Sequence, residues 1–151
     1  MEIKDLIIFL KKFEIKEEKI KSFIGEKLII EKNSHFFLTN QKDKIIKTDL
    51  LLFINLKFLL PSKFLLNFIF KNSENIVEVK SEKQAMNFTY GKDLSIDSII
   101  KVQGKHFKVG IYYLLIYKNL ILGYFEYLGN NQKNKKHPLF NLMNIGRYLK
   151  E

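Results

Sequence analysis

The spacing of apolar residues changes several times along the chain, and each change marks an element. Leu6, Leu10, Phe13, Ile20 and Ile24 fall on one helical face, with Lys11, Lys12, Glu14, Glu18, Lys19 and Lys21 mostly on the other. This predicts a long first helix, broken in two near Glu14 and ended by Gly25, which can adopt the positive φ of a helix terminus. Leu28-Ile29-Ile30 and His35-Phe36-Phe37-Leu38 are β-prone runs on either side of Lys32-Asn33-Ser34, the pattern of a hairpin. Lys44-Ile45-Ile46-Lys47 is expected as a third strand. Thr48 or Asp49 offers an N-cap for a helix through Leu50 to Leu60, stopped by Pro61. From Phe64 to Phe70 the run is so evenly apolar that its period leaves strand and helix both open. Ile76-Val77-Glu78-Val79-Lys80 alternates as a strand expected to close a first domain, and the polar Ser81-Glu82-Lys83 marks the boundary.

The second half turns on Phe88-Thr89-Tyr90-Gly91-Lys92-Asp93. Strand-like residues run into a glycine free to turn at positive φ, and Asp93 can cap a short helix over Leu94 to Ile100. Val109 to Tyr117 and Leu120 to Tyr127 then flank Lys118-Asn119 as the clearest hairpin in the chain. A glycine- and asparagine-rich basic loop follows from Gly129 to Pro138, then a short strand around Leu139 to Leu142 and a basic tail. The pattern as a whole is α+β. Residues 1–80 form a mixed α/β domain with an antiparallel sheet packed on helices, and residues 81–151 form a β-rich domain entered through the Gly91 turn.

Charge sharpens this division. The chain holds 26 Lys and Arg against 16 Asp and Glu, a net charge of +10. Residues 1–80 carry 15 basic and 11 acidic side chains, whereas residues 98–151 carry 9 and 2. A field of that sign, concentrated at one end, favours phosphate-rich partners, although a chain so rich in Lys, Asn, Ile and Phe also acquires lysines by compositional drift. There is no cysteine, so disulfides and thiolate metal sites are excluded. The apolar stretches at Leu50 to Phe70 and Val109 to Leu128 are interrupted by Lys57, Pro61-Ser62-Lys63, Lys118-Asn119 and Glu126. Neither reaches the ~20 residues that span a bilayer, and no membrane association is expected.

Catalysis finds little support. His35, His106 and His137 lie far apart with no metal-ligand spacing, no phosphate-binding glycine loop or nucleophile elbow occurs, and Glu17-Glu18 reads as a solubilising helix face. No catalytic residue, metal ligand or cofactor is assigned. RNA binding fits better. Lys133, Lys135 and Lys136 are clustered in the basic loop, Arg147 and Lys150 follow in the tail, and Lys101, Lys105 and Lys108 precede the hairpin. Tyr112, Tyr113, Tyr124 and Phe125 could stack on bases only where they face outward, because strand alternation sends half of them into a core.

Several segments, in order, resemble the Nip-seven family of large-ribosomal-subunit biogenesis factors. Lys19-Ile20-Lys21-Ser22-Phe23-Ile24-Gly25-Glu26-Lys27-Leu28 is similar to that family's first-helix ending. Val77 to Gly91 is similar to its inter-domain strand and domain entry, Leu122-Gly123 to its barrel hairpin, and Ile145-Gly146-Arg147-Tyr148-Leu149-Lys150 to its closing motif. The chain is shorter than the family over residues 55–75 and Pro138 to Ile145, and Arg147 stands where the family usually has glutamate. The resemblance implies a C-terminal PUA-type β pseudo-barrel that binds uridine- or AU-rich RNA. It further implies a monomeric, non-catalytic factor for pre-rRNA processing, acting in the nucleolus of the nucleus with pre-ribosomal particles and other assembly factors. Its RNA contacts would be Lys133, Lys135 and Lys136 first, then Arg147, Lys150 and Lys92. The alternative from another class is an accessory subunit or enzyme of RNA modification. A third is a protein-binding module whose charge is incidental.

Overall fold

A computed structural model describes residues 1–40, 49–55, 59–100, 106–129 and 137–146. It divides into two compact units, Met1–Glu74 and Asn75–Glu151.

In the first unit the expected helix is indeed broken. Helix α1 (Ile3–Lys12) and helix α2 (Glu17–Ile24) are separated at Glu14, whose φ is +55°, and Gly25 ends α2 at φ +56° with its N–H donated to the Lys21 carbonyl. Leu6, Leu10, Phe13, Ile20 and Ile24 are all buried, so the apolar stripe faces the core as its spacing requires. Strands β1 (Leu28–Lys32) and β2 (His35–Thr39) form the expected hairpin. Asn33 and Ser34 turn it at φ +52° and +64°, the left-handed pair that matches the twist of a two-residue hairpin.

The next segment departs from expectation. Leu50 to Leu60 is not helical: it forms strands β3 (Leu50–Asn55) and β4 (Leu59–Pro61), completing an antiparallel sheet in the order β1-β2-β3-β4. The reason is pairing. A run of Leu and Phe without a polar helical face satisfies its backbone along β2, where Phe36 faces Phe53 and Leu38 faces Leu50, and Leu52 and Phe53 enter the core. The ambiguous segment beyond Pro61 is helix α3 (Lys63–Asn72). Ser62 makes the difference, because its hydroxyl accepts from the Leu65 N–H at 3.1 Å and donates to the Leu51 carbonyl at 2.6 Å, capping the helix while fixing it to β3. Ser62→Ala should therefore cost about 1–2 kcal/mol in chemical denaturation. A loss below a few tenths would show that water replaces both bonds. At the far end of α3, Ser73 donates to the Phe13 carbonyl and ties the helix to the end of α1. The expected third strand at Lys44 to Lys47 lies outside the described residues.

The second unit opens earlier than the polar boundary at 81. Strand β5 (Ile76–Glu78) does not close the first sheet. It pairs in parallel with β6 (Tyr112–Tyr117), which continues antiparallel to β7 (Leu120–Tyr127) and β8 (Leu139–Asn144), giving the order β5-β6-β7-β8. Ser81-Glu82-Lys83 is no linker but the start of helix α4 (Glu82–Thr89), with the Ser81 hydroxyl accepting from the Gln84 N–H at 3.3 Å. Phe88 and Thr89 are thus helical rather than extended, and Phe88 is fully buried.

Beyond Gly91 the expected helix shrinks to a single 3₁₀ turn, Ile96–Ser98. The flanking residues have a different task. Leu94 exchanges both backbone hydrogen bonds with Leu139 on the edge strand β8, and Ile99 bridges to Val79 just past β5 on the opposite edge. Segment 94–99 therefore joins the two edges and closes the four strands into a pseudo-barrel. Its interior is aromatic and aliphatic. Tyr113 stacks on Phe125 at 5.5 Å, Phe107 packs edge-on to Tyr113 at 4.9 Å, and the Tyr113 hydroxyl accepts from the Lys108 N–H at 2.8 Å. The hairpin turn is Lys118-Asn119, as its sequence predicts, with both residues at positive φ.

Candidate nucleic-acid interface

Helix α4 ends in a pattern that shapes the surface beside it. Tyr90 is the C-cap and Gly91 follows at φ +93°. The Gly91 N–H is donated to Phe88 O at 3.0 Å and the Lys92 N–H to Asn87 O at 3.1 Å, which satisfies two of the orphan carbonyls of the last turn. Gly91 performs the sharp turn expected of it, but as the exit of a helix and not the end of a strand. With no side chain and nothing within 4 Å of where a Cβ would stand, it leaves the backbone open to an approaching ligand.

A buried polar knot holds this turn in place. Asn141 on β8, 6% exposed, donates its side-chain amide to Phe88 O at 2.7 Å and Lys92 O at 3.1 Å. Its backbone N–H is donated to the Asp93 carboxylate at 2.9 Å, so Asp93 binds β8 and does not cap a helix; Ser95 takes the N-cap position. The Asn144 side-chain amide, in turn, donates to Asn141 Oδ1 at 3.2 Å. Two segments distant in sequence, residues 88–93 and 141–144, are locked into one loop geometry, which fixes the backbone from which Lys92 projects.

The turn and α4 enclose a polar cleft of about 620 Å³. Gln84 and Asn87, one turn apart on α4, form one wall; Gly91 and Lys92 form the rim; Ser95 and Ser98 line the other side, their hydroxyls 3.0 Å apart; His137 stands at the lip. Lys92 is exposed, and Tyr90, 64% exposed, presents its ring beside the rim in sequence. Two amides, each donor and acceptor, can read the edge of a base; a lysine can hold a phosphate; an open tyrosine ring can stack.

Of the six candidate RNA-contact residues, the structure places Lys92 on this rim. Lys133, Lys135, Lys136, Arg147 and Lys150 lie outside the described residues, as do Lys101 and Lys105. The lysine-bearing stretch 130–136 leads in sequence directly into His137. Tyr113 and Phe125 point into the core and Tyr112 and Tyr124 to the other sheet face, the division that strand alternation predicts. Gln84, Asn87, Ser95 and Tyr90 were not foreseen as site residues. The signal for the first two was Ser81-x-x-Gln84, a capping pattern that starts a helix where a linker was expected. Among the described residues no group of three or more His, Asp or Glu is placed to hold a metal ion, and no helix is long and apolar enough to cross a membrane.

The class these elements define is α+β, a mixed helical and antiparallel first unit followed by a second unit closed as a pseudo-barrel. No protein-family model matches the chain, and no curated protein matches it. Among solved structures it is similar to one described as a conserved PUA domain protein from Thermoplasma acidophilum, with 16% identity, a TM-score of 0.49, and coverage of 95% of this chain and 90% of that one.

Proposed function

We infer that the second unit binds single-stranded RNA, with the cleft beside Gly91 as its base-reading surface and lysines as its phosphate contacts. The observation that supports this reading is the juxtaposition of the Gln84 and Asn87 amides with Lys92 on a rim that Asn141 holds rigid. Sequence adds three lysines between residues 130 and 136 immediately before the His137 lip. By its resemblance to the Nip-seven family, the chain is a non-catalytic PUA-type factor that occupies pre-ribosomal RNA during large-subunit assembly. Its seat is the nucleolus, and its first unit serves the contacts with other assembly factors.

The test is the salt dependence of binding to a uridine-rich oligonucleotide, followed by fluorescence anisotropy. Changing Lys133, Lys135 and Lys136 together to Ala should weaken binding and flatten the log–log salt slope by about two, the value for three phosphates on a single strand. Lys92→Ala should remove about one contact. Unchanged affinity and slope on folded variants would refute the assignment. Crosslinking in cells followed by sequencing tests the assembly role, which requires pre-ribosomal RNA among the bound species.

A further inference from the structure

The face of the second sheet opposite its aromatic core carries a patch of different character. Tyr112 on β6 is paired with Glu126 on β7, and Glu126 with Phe140 on β8, so the three stand in one row across the sheet. Tyr124, two residues before Glu126, shares that face, and its ring lies 5.5 Å from that of Tyr112 with a 34° tilt. Phe140 is 41% exposed, and Tyr112, Tyr124 and Glu126 are half-buried. Burial, and secondarily the Glu126 charge, hold the Tyr112 hydroxyl pKa above the usual tyrosine value.

Glu126 is the sole carboxylate between residues 98 and 150. A negative charge set among three aromatic rings, in the least acidic part of a basic chain, has the chemistry of a cation acceptor. Ring faces attract ammonium and guanidinium groups, and partial burial strengthens the attraction to the carboxylate. The same carboxylate repels phosphate. We propose that this face docks a lysine or arginine side chain of a protein partner, presented on a basic peptide segment. The proposal is independent of the RNA reading, because the two ligands have opposite charge and use different faces of the unit.

The experiment uses the full chain and a fluorescein-labelled peptide of alternating arginine and glycine, with glutamine in place of arginine as control, in 0.15 M salt. The arginine peptide should bind and the control should not. Glu126→Gln should weaken binding about tenfold and Phe140→Ala about threefold or more, with circular dichroism unchanged. A uridine-rich oligonucleotide provides the opposing arm. RNA binding that strengthens in Glu126→Gln and weakens in Phe140→Ala would make the face a base-stacking platform and overturn the proposal. Absence of peptide binding, or peptide binding indifferent to both substitutions, would overturn it equally. If Glu126→Gln fails to fold, Phe140→Ala decides alone.

Discussion

Gly123→Ala is expected to lower the thermal midpoint by about 10–15 °C. Gly123 lies in β7 at φ +145°, where side chains are rarely tolerated, and a Cβ there would collide with the Met143 carbonyl oxygen and stand 2.7 Å from the Asn144 Cα. Both obstacles are backbone of the paired strand β8, so no rotamer relieves them. The sheet must open between β7 and β8, or the strand must shift. Strain of about 1–2 kcal/mol at φ and about 1–3 kcal/mol from overpacking together approach 4 kcal/mol, a large share of a domain's net stability. At about 2–4 °C per kcal/mol for a chain of this size, the midpoint shift follows. A variant melting within about 3 °C of the native chain would mean that the two strands are not held this closely.

The second large effect is expected at Asn141. Asn141→Ala strips the amide from the Phe88 and Lys92 carbonyls and leaves the buried Asn144 amide without its acceptor, while the Phe88 carbonyl keeps the Gly91 N–H and the bond lost at Lys92 is part-buried. The orphaned Asn144 amide costs about 1–3 kcal/mol and each of the two other lost bonds about 0.5–1.5 kcal/mol, so a loss of about 2–4 kcal/mol in urea titration is expected. RNA affinity should fall as well, since the turn that aims Lys92 is released. Asn141→Asp separates donor loss from shape. Its carboxylate would face two carbonyl oxygens, and burial there would raise its pKa above the unfolded value. Stability would then be greatest below the unfolded pKa and would be lost as pH rises through the folded one. Melts of Asn141→Asp should therefore improve from pH 7.5 to pH 4.5 relative to the native chain. A flat difference would place Asn141 outside the knot.

Where the sequence carried a strong local signal, the fold was legible. The helical stripe of Leu6, Leu10 and Phe13, the Asn33-Ser34 and Lys118-Asn119 turns, and the inward halves of β6 and β7 follow from periods and turn chemistry alone. Leu50 to Leu60 reads as a helix from its N-cap alone, because an apolar run broken only by Asn55 and Lys57 has no clear period, and the partner strand β2 decides its form. Helix α4 leaves little mark in the sequence, because its polar first turn resembles a linker and it buries only Ala85 and Phe88. Asp93 reads locally as the cap of the nearest helix, whereas its partner Asn141 is remote in sequence. The cleft has the same origin. Its residues are ordinary polar positions until β8 draws them together, and no local pattern encodes that.

Closure of the second sheet by segment 94–99 also sets an order of assembly. In the first unit β1, β2 and β3 pair with near neighbours, so its sheet can form as the chain lengthens. The second unit must bring Ile76 beside Leu114 and Leu94 beside Leu139 before its ring exists. Such distant pairings pay their chain entropy before they return any contact, and they make folding slow. During synthesis the ring cannot close until β8 has emerged. Until then α4, the Gly91 turn and the cleft they frame lack their anchor, so the surface proposed to read RNA is among the last parts of its own unit to take shape.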